Sequence, residues 1–217
     1  MKDINTIRLS RLLPHIFAPG LDLPSDVWEQ EVVLERNKRY LVEAHSGTGK
    51  SSLCSYIYGW RTDYSGQLYF DDREAATLSR KQWTSLRRRH ISLMWQELRL
   101  FPELTAWENV QIKNRLTHHR KASTIEAWFD RLGISDKRDT PVSRLSFGQQ
   151  QRVAFLRSLC QPFDFILLDE PVSHLDESNA QLLAELLDEE CRHTEAGILT
   201  TSIGRPLPLN YDRVLHL

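Results

Sequence analysis

The run Ala44-His45-Ser46-Gly47-Thr48-Gly49-Lys50-Ser51 constrains this chain of 217 residues more than any other feature. It follows residues 40–44, which read as a strand, and opens residues 49–59, which read as a helix. A glycine-rich turn between strand and helix aims successive backbone N–H groups and the positive end of the helix at one point. An anion fits that point. The spacing of Gly49-Lys50-Ser51 from Ala44 matches a phosphate loop. In such a loop Lys50 places its ammonium on the β- and γ-phosphates of a nucleotide, and the Ser51 hydroxyl ligates Mg²⁺. Ala44 stands where a first glycine is usual, a change that costs some φ freedom.

A second run supplies what such a loop needs. Phe165-Ile166-Leu167-Leu168 is wholly apolar, as in a strand buried on both faces, and it ends in Asp169-Glu170. Asp169 can hold Mg²⁺ through water, and Glu170, one residue on, can polarise an attacking water.

Residues 27–34, 67–70 and 91–95 read as further strands, residues 179–190 as an amphipathic helix, and residues 198–200 and 213–217 as final strands. This alternation predicts an α/β core with a central, mostly parallel sheet. Between about 97 and 158 the character changes. Thr105-x-x-Glu108 and Ser123-x-x-Glu126 read as capping boxes ahead of apolar-periodic runs, with Gly133 and Pro141 as stop signals. The expectation is one domain over 1–217, with 1–96 and 159–217 forming the α/β core and 97–158 a helical subdomain inserted in it.

Composition narrows the function. Lys+Arg number 28 against 29 Asp+Glu, a net charge of −1, so no bulk electrostatic attraction to nucleic acid is expected. No apolar run approaches the roughly 20 residues a membrane span needs, and the polar start Met1-Lys2-Asp3 predicts no secretory leader. The three cysteines, Cys54, Cys160 and Cys191, are far apart and odd in number, which fits a reducing cytoplasm.

Leu145-Ser146-Phe147-Gly148-Gln149-Gln150-Gln151-Arg152-Val153-Ala154 resembles the signature motif of the ATP-binding-cassette (ABC) ATPases. Trp95-Gln96-Glu97 looks like the Q-loop, and Ser173-His174-Leu175-Asp176 like the D-loop. The resemblance implies a RecA-like phosphate-loop core with an inserted helical subdomain, the ABC ATPase fold. It implies ATP and Mg²⁺ as cofactors. The nucleotide would be held by Ser46, Gly47, Thr48, Gly49, Lys50, Ser51 and Ser52, with Ser51, Gln96 and Asp169 on the metal and Glu170 and Gln96 catalytic. It further implies a head-to-tail dimer in which Ser146, Gly148, Gln149 and Asp176 of one copy face the nucleotide of the other. Adenine stacking usually comes from an aromatic upstream of the loop; Phe17 and Trp28 are the candidates, with Phe17 favoured.

Two departures matter. Phe147 replaces the first glycine of the signature pair, so its ring must point away from the nucleotide. In Leu199-Thr200-Thr201-Ser202, Ser202 takes the slot of the switch histidine, and a one-residue slip would make it Thr201. A serine keeps one donor but carries no charge. The expected function is therefore the ATP-hydrolysing subunit of an ABC transporter or mechanotransmission complex. The alternative is a nucleotide-gated module with little hydrolysis. Leu78-Ser79 through His90-Ile91, together with Leu100-Phe101-Pro102-Glu103-Leu104-Thr105, resembles lipoprotein-releasing, macrolide-export and FtsE-like cassettes. That implies a separately encoded membrane partner, engaged through the groove between Gln96 and the helical insertion, and a peripheral place on the cytoplasmic face of the inner membrane.

Overall fold

The computed structural model describes residues 3–17, 24–45 and 47–217. Its centre is a five-stranded parallel sheet built from β3 (Arg39–Glu43), β6 (Ile91–Met94), β7 (Phe165–Asp169), β8 (Gly197–Ser202) and β9 (Arg213–His216), in the order β6-β7-β8-β3-β9. Strands β6, β7 and β8 are buried along their whole length; in β7 this makes Phe165–Leu168 an unbroken apolar run, while β6 and β8 bury Ser92, Thr200, Thr201 and Ser202 among apolar side chains. The pleat sends successive side chains to opposite faces. Phe165 and Leu167 enter one hydrophobic core, and Ile166 and Leu168 enter the other. Each such side chain, fully buried, contributes about 1.5–3 kcal/mol.

The first core lies between this sheet and a second, antiparallel sheet of order β2-β1-β4-β5: β1 (Thr6–Pro14), β2 (Glu31–Glu35), β4 (Tyr64–Phe70) and β5 (Arg73–Glu74). Helices α1 (Lys50–Ile57) and α2 (Arg80–Arg89) add Leu53, Ile57 and Leu86 to it. The second core is mainly helical. It gathers α3 (Ala106–Thr117), α4 (Ala122–Arg131), α5 (Phe147–Leu159) and α6 (Glu177–Thr194) against the other face of β7. All of α3, α4 and most of α5 lie within residues 97–158.

Several local expectations change. Strand β2 begins at Glu31, not at 27, because Val27 and Trp28 sit in a turn whose N–H groups bond to Ser25 Oγ. Strand β1 has no counterpart among the strands expected from sequence, although Ile7 and Leu9 alternate inward with Thr6, Arg8 and Ser10. The Thr105 capping box is present: Thr105 Oγ1 accepts from Glu108 N at 3.1 Å, and Thr105 N donates to Glu108 Oε2 at 2.8 Å. The Ser123 box is not. Helix α4 already begins at Ala122, with Lys121 as an N-cap that has no side-chain bond, so Ser123 is inside the first turn. Two further boxes, Ser79 with Gln82 and Ser146 with Gln149, start α2 and α5.

Candidate nucleotide site

The C-terminal ends of four neighbouring parallel strands, β6, β7, β8 and β3, deliver the candidate residues to one edge of the sheet, where open α/β sheets bind their ligands. Gln96 follows β6, Asp169 ends β7 with Glu170 next, Ser202 ends β8, and the glycine-rich loop follows β3. The register brings them level: Asp169 pairs with Thr201, and Glu43 with Ser202. A cavity of about 240 Å³ opens there, lined by Phe17, Gly47, Gly49, Lys50, Ser51, Ser52, Gln96 and Glu170. Ser46 lies outside the described residues.

Gly49 is in the left-handed region at φ +100, and a Cβ there would come within 2.9 Å of the Trp28 ring. Only glycine fits this turn into α1. Trp28 is 3% exposed and donates from Nε1 to Thr48 O at 3.0 Å. It therefore supports the loop from beneath and is not placed to stack on a base. Phe17, tilted against it at 6.5 Å between centroids, faces the cavity.

Lys50 is buried and donates to Ala44 O at 3.1 Å and His45 O at 2.8 Å, with Glu170 Oε1 at 3.9 Å. Burial lowers its pKa, and the Glu170 and Asp169 carboxylates work against that shift. Ser51 Oγ donates to Gln96 Oε1 at 3.3 Å. Asp169 is raised by burial and held back by hydrogen bonds from Ser51 and Thr201. Ser51, Gln96 and Asp169 thus form an oxygen-only donor set around a carboxylate that burial leaves short of positive charge. Those are the properties a hard divalent cation such as Mg²⁺ requires.

Glu170 occupies the left-handed region at φ +51, a conformation costing about 1–3 kcal/mol that persists only where the surroundings enforce it. Its N–H donates to Thr201 Oγ1 at 3.0 Å, and Thr201 Oγ1 donates to Asp169 Oδ1 at 2.7 Å. Burial raises the Glu170 pKa, and Lys50 opposes this. Ser202 is buried, does not line the cavity, and meets the loop through its carbonyl, which accepts from Ala44 N at 3.3 Å. Next to it, Ile203 is exposed on the cavity rim.

The signature and D-loop residues gather elsewhere. Ser146 caps α5 and Asp176 caps α6, where Asp176 Oδ1 accepts from Asn179 N at 2.8 Å. Between them, the Phe147 ring packs on His174 at 4.3 Å between centroids, and Gly148 lies against the His174 carbonyl. None of Ser146, Gly148, Gln149 and Asp176 lines the cavity of their own chain, and neither does Thr48.

Sequence reasoning missed Arg61. It lines the cavity, donates from Nη1 to Ser52 Oγ at 2.8 Å and pairs with Asp63. No motif marks it; it arrives because α1 ends just before it. Thr201 enters the sequence reading only as a register slip, yet it is the β8 hydroxyl that touches the acid pair.

A glycine-rich anion cradle joined to a strand-end carboxylate pair at the C-terminal edge of a parallel sheet defines a phosphate-loop nucleotide-binding protein. Residues 30–173 match the ABC transporter family, and the chain belongs to that family. The ATP-binding protein LolD of the lipoprotein-releasing system of Pseudomonas fluorescens is 30% identical over 192 residues, covering 86% of this chain and 84% of that protein. The macrolide export ATP-binding/permease protein MacB of Rhodopseudomonas palustris is 34% identical over 165 residues, covering 73% of this chain and 25% of that protein. Among solved structures, the dimeric bacterial ABC transporter cassette MJ0796 superposes with a TM-score of 0.76 at 22% identity, over 90% of this chain and 87% of that one. The same cassette is known in a post-hydrolysis state bound to ADP and phosphate. The chain is an ABC-type ATPase, and its family favours hydrolysis over the gating-only alternative.

Proposed function

We propose that this chain binds Mg-ATP on residues 44–52, activates water with Glu170, and passes the resulting closure and opening to a separately encoded membrane protein. The observation that carries this reading is the convergence of Lys50, Ser51, Gln96 and Glu170 on one cavity. Lys50 and the loop amides bind and orient the phosphates, Phe17 stacks on the base, and Arg61 adds a cation at the Ser52 end. Ser51, Gln96 and Asp169 would hold Mg²⁺, which when bound neutralises phosphate charge. Glu170, kept partly desolvated, accepts the proton of the water. Ser146, Gly148, Gln149 and Asp176 serve the nucleotide of a second copy, with the positive end of α5 directed at its γ-phosphate.

The membrane partner meets the groove between the Gln96 loop and residues 97–158, which acts as the helical subdomain. Tyr58, Trp95, Arg99, Phe101, Lys113 and Arg157 line it. Arg99 and Arg157 place cations there beside exposed Phe101, and burial, with Arg157 and Arg87, lowers Lys113 to about 8. No helix among the described residues is long and apolar enough to cross a membrane. The chain reaches the cytoplasmic face of the membrane as a peripheral subunit, through its partner. LolD and MacB, by their names, serve lipoprotein release and macrolide export; the cargo of this chain is set by the membrane partner.

Lys50→Ala tests the nucleotide site. Removing a charged hydrogen-bond donor costs about 1.5–3 kcal/mol, so ATP affinity falls roughly 10- to 150-fold in equilibrium binding. Equal affinity in variant and wild type would refute the assignment.

A further inference from the structure

The carbonyl of Glu170 is held by a residue that no nucleotide role accounts for. Gln151 lies on α5, five positions after its N-cap Ser146, and is only 1% exposed. Its Nε2 donates to Glu170 O at 3.1 Å and reaches Ser173 Oγ at 3.4 Å, while its Oε1 accepts from His174 N at 3.4 Å. Both ends of the carboxamide are thus spent on residues 170–174. Its nearest helical neighbours along the buried face, Ala154 and Phe155, are apolar, so packing alone would be served by an apolar side chain; a buried amide stays only where its hydrogen bonds are met.

The contacts fall where the backbone is unusual. Glu170 is in the left-handed region at φ +51, and its carbonyl accepts from Gln151 Nε2 at 3.1 Å, from Ser173 Oγ at 3.3 Å and from Ser173 N at 3.5 Å; Gln151 makes the shortest of these bonds and also holds Ser173. Thr201 Oγ1 fixes the peptide before it through Glu170 N at 3.0 Å. With both flanking peptide planes held, the carboxylate is directed into the cavity, 3.9 Å from Lys50. We propose that Gln151 is a positioning residue for ATP hydrolysis: its carboxamide holds the Glu170 backbone in the conformation that aims the base at water, and ties that conformation to the start of α5. This rests on the reading of Glu170 as the base.

The test is steady-state phosphate release and equilibrium ATP binding for Gln151→Met and Gln151→Glu, with the membrane partner present. Methionine keeps the length and volume but has no donor. Its kcat falls tenfold or more, while KM and ATP affinity stay within twofold of wild type. Glutamate can donate to the Glu170 carbonyl only when protonated, so its rate relative to wild type declines as pH rises, a dependence the methionine variant does not show. Adding Gln151→Met to Glu170→Gln costs less than twofold further, since both residues serve one water. A methionine variant with kcat within twofold of wild type, or one losing rate and affinity together, overturns the proposal. Should methionine fail to fold, the glutamate profile decides, and a ratio flat with pH overturns it. A wild type without turnover refutes the hydrolytic reading itself; a wild type that turns over beside an equally active methionine variant refutes only the role of Gln151.

Discussion

In the proposed mechanism two residues of the site set how fast it works, Glu170 as the base and Ser202 in the slot of the switch histidine. Glu170 is an acid in a partly desolvated cavity, and burial lifts its pKa above the ordinary 4.5, with Lys50 opposing. The folded state therefore favours the protonated form, and the stability linked to this group is lost as pH rises through the raised value. The base, however, works ionised. The acid limb of kcat should lie above pH 4.5, and a limb at or below it would contradict the desolvated environment. Ser202 bears on the other half of the reaction. The structure joins it to the loop through its backbone and leaves Thr201 on the acids, so on the proposed reading no side-chain donor at this position is placed to orient the water. Losing one positioned transition-state contact typically costs about 10²–10³ in rate. Ser202→His is expected to raise phosphate release with ATP affinity nearly unchanged, and the gain should vanish when Glu170→Gln is added. Brisk wild-type turnover that histidine does not improve would show that another group already does this work.

At the scale of elements, legibility followed burial and local chemistry. Strand β7 is visible in the sequence because burial on both faces makes Phe165–Leu168 an unbroken apolar run; β6 and β8 are legible as short apolar and β-branched runs that also carry buried hydroxyls. The loop at 44–51 is visible because anion binding demands glycines and a lysine at fixed spacing. Strand β1 is not: it bears Arg8, Ser10 and Arg11 on its outer face, and its pairing with β2 and β4 is decided across the fold. Gln151 is illegible for the same reason, since it acts through Glu170 and His174, distant in sequence; Arg61 contacts Ser52 and Asp63 close by in sequence, but no motif marks it. Capping boxes illustrate the limit, because Thr105-x-x-Glu108 and Ser123-x-x-Glu126 are equivalent as strings. The first lies where the chain enters α3 from extended backbone, at ψ 164; the second lies already inside α4. Thr105→Ala should therefore lower unfolding stability by about 1 kcal/mol, whereas Ser123→Ala should stay within about 0.5 kcal/mol of wild type. Paired denaturant titrations measure both, and equal losses would contradict a start of α4 at Ala122.

The whole molecule presents two half-sites. The cavity at the sheet edge brings together Lys50, Arg61, Ser51, Gln96 and Glu170, the groups proposed to hold phosphate and metal. The tip formed by Ser146, Phe147, Gly148 and His174 carries a capped helix N-terminus with no phosphate of its own chain to face. In the proposed head-to-tail pair, each tip would close the cavity of the other copy. In that proposal the ligand is integral to the interface: a net charge of −1 supplies no strong attraction between copies, and the cavity rim offers Ile16 and Ile203 as exposed large apolar side chains. On this reading much of the association energy comes from γ-phosphate meeting the positive end of α5. Dimerisation should thus require ATP and fail with ADP, and it should be transient in the wild type because hydrolysis removes the bridging charge. Glu170→Gln keeps the shape of the site but removes the base, so with ATP it should accumulate as a dimer, while Lys50→Ala in the same background should remain monomeric. Size-exclusion chromatography with light scattering separates these outcomes. A Glu170→Gln chain that stays monomeric with ATP, both alone and with its membrane partner, would rule out the head-to-tail arrangement and leave the tip of α5 without a phosphate to bind.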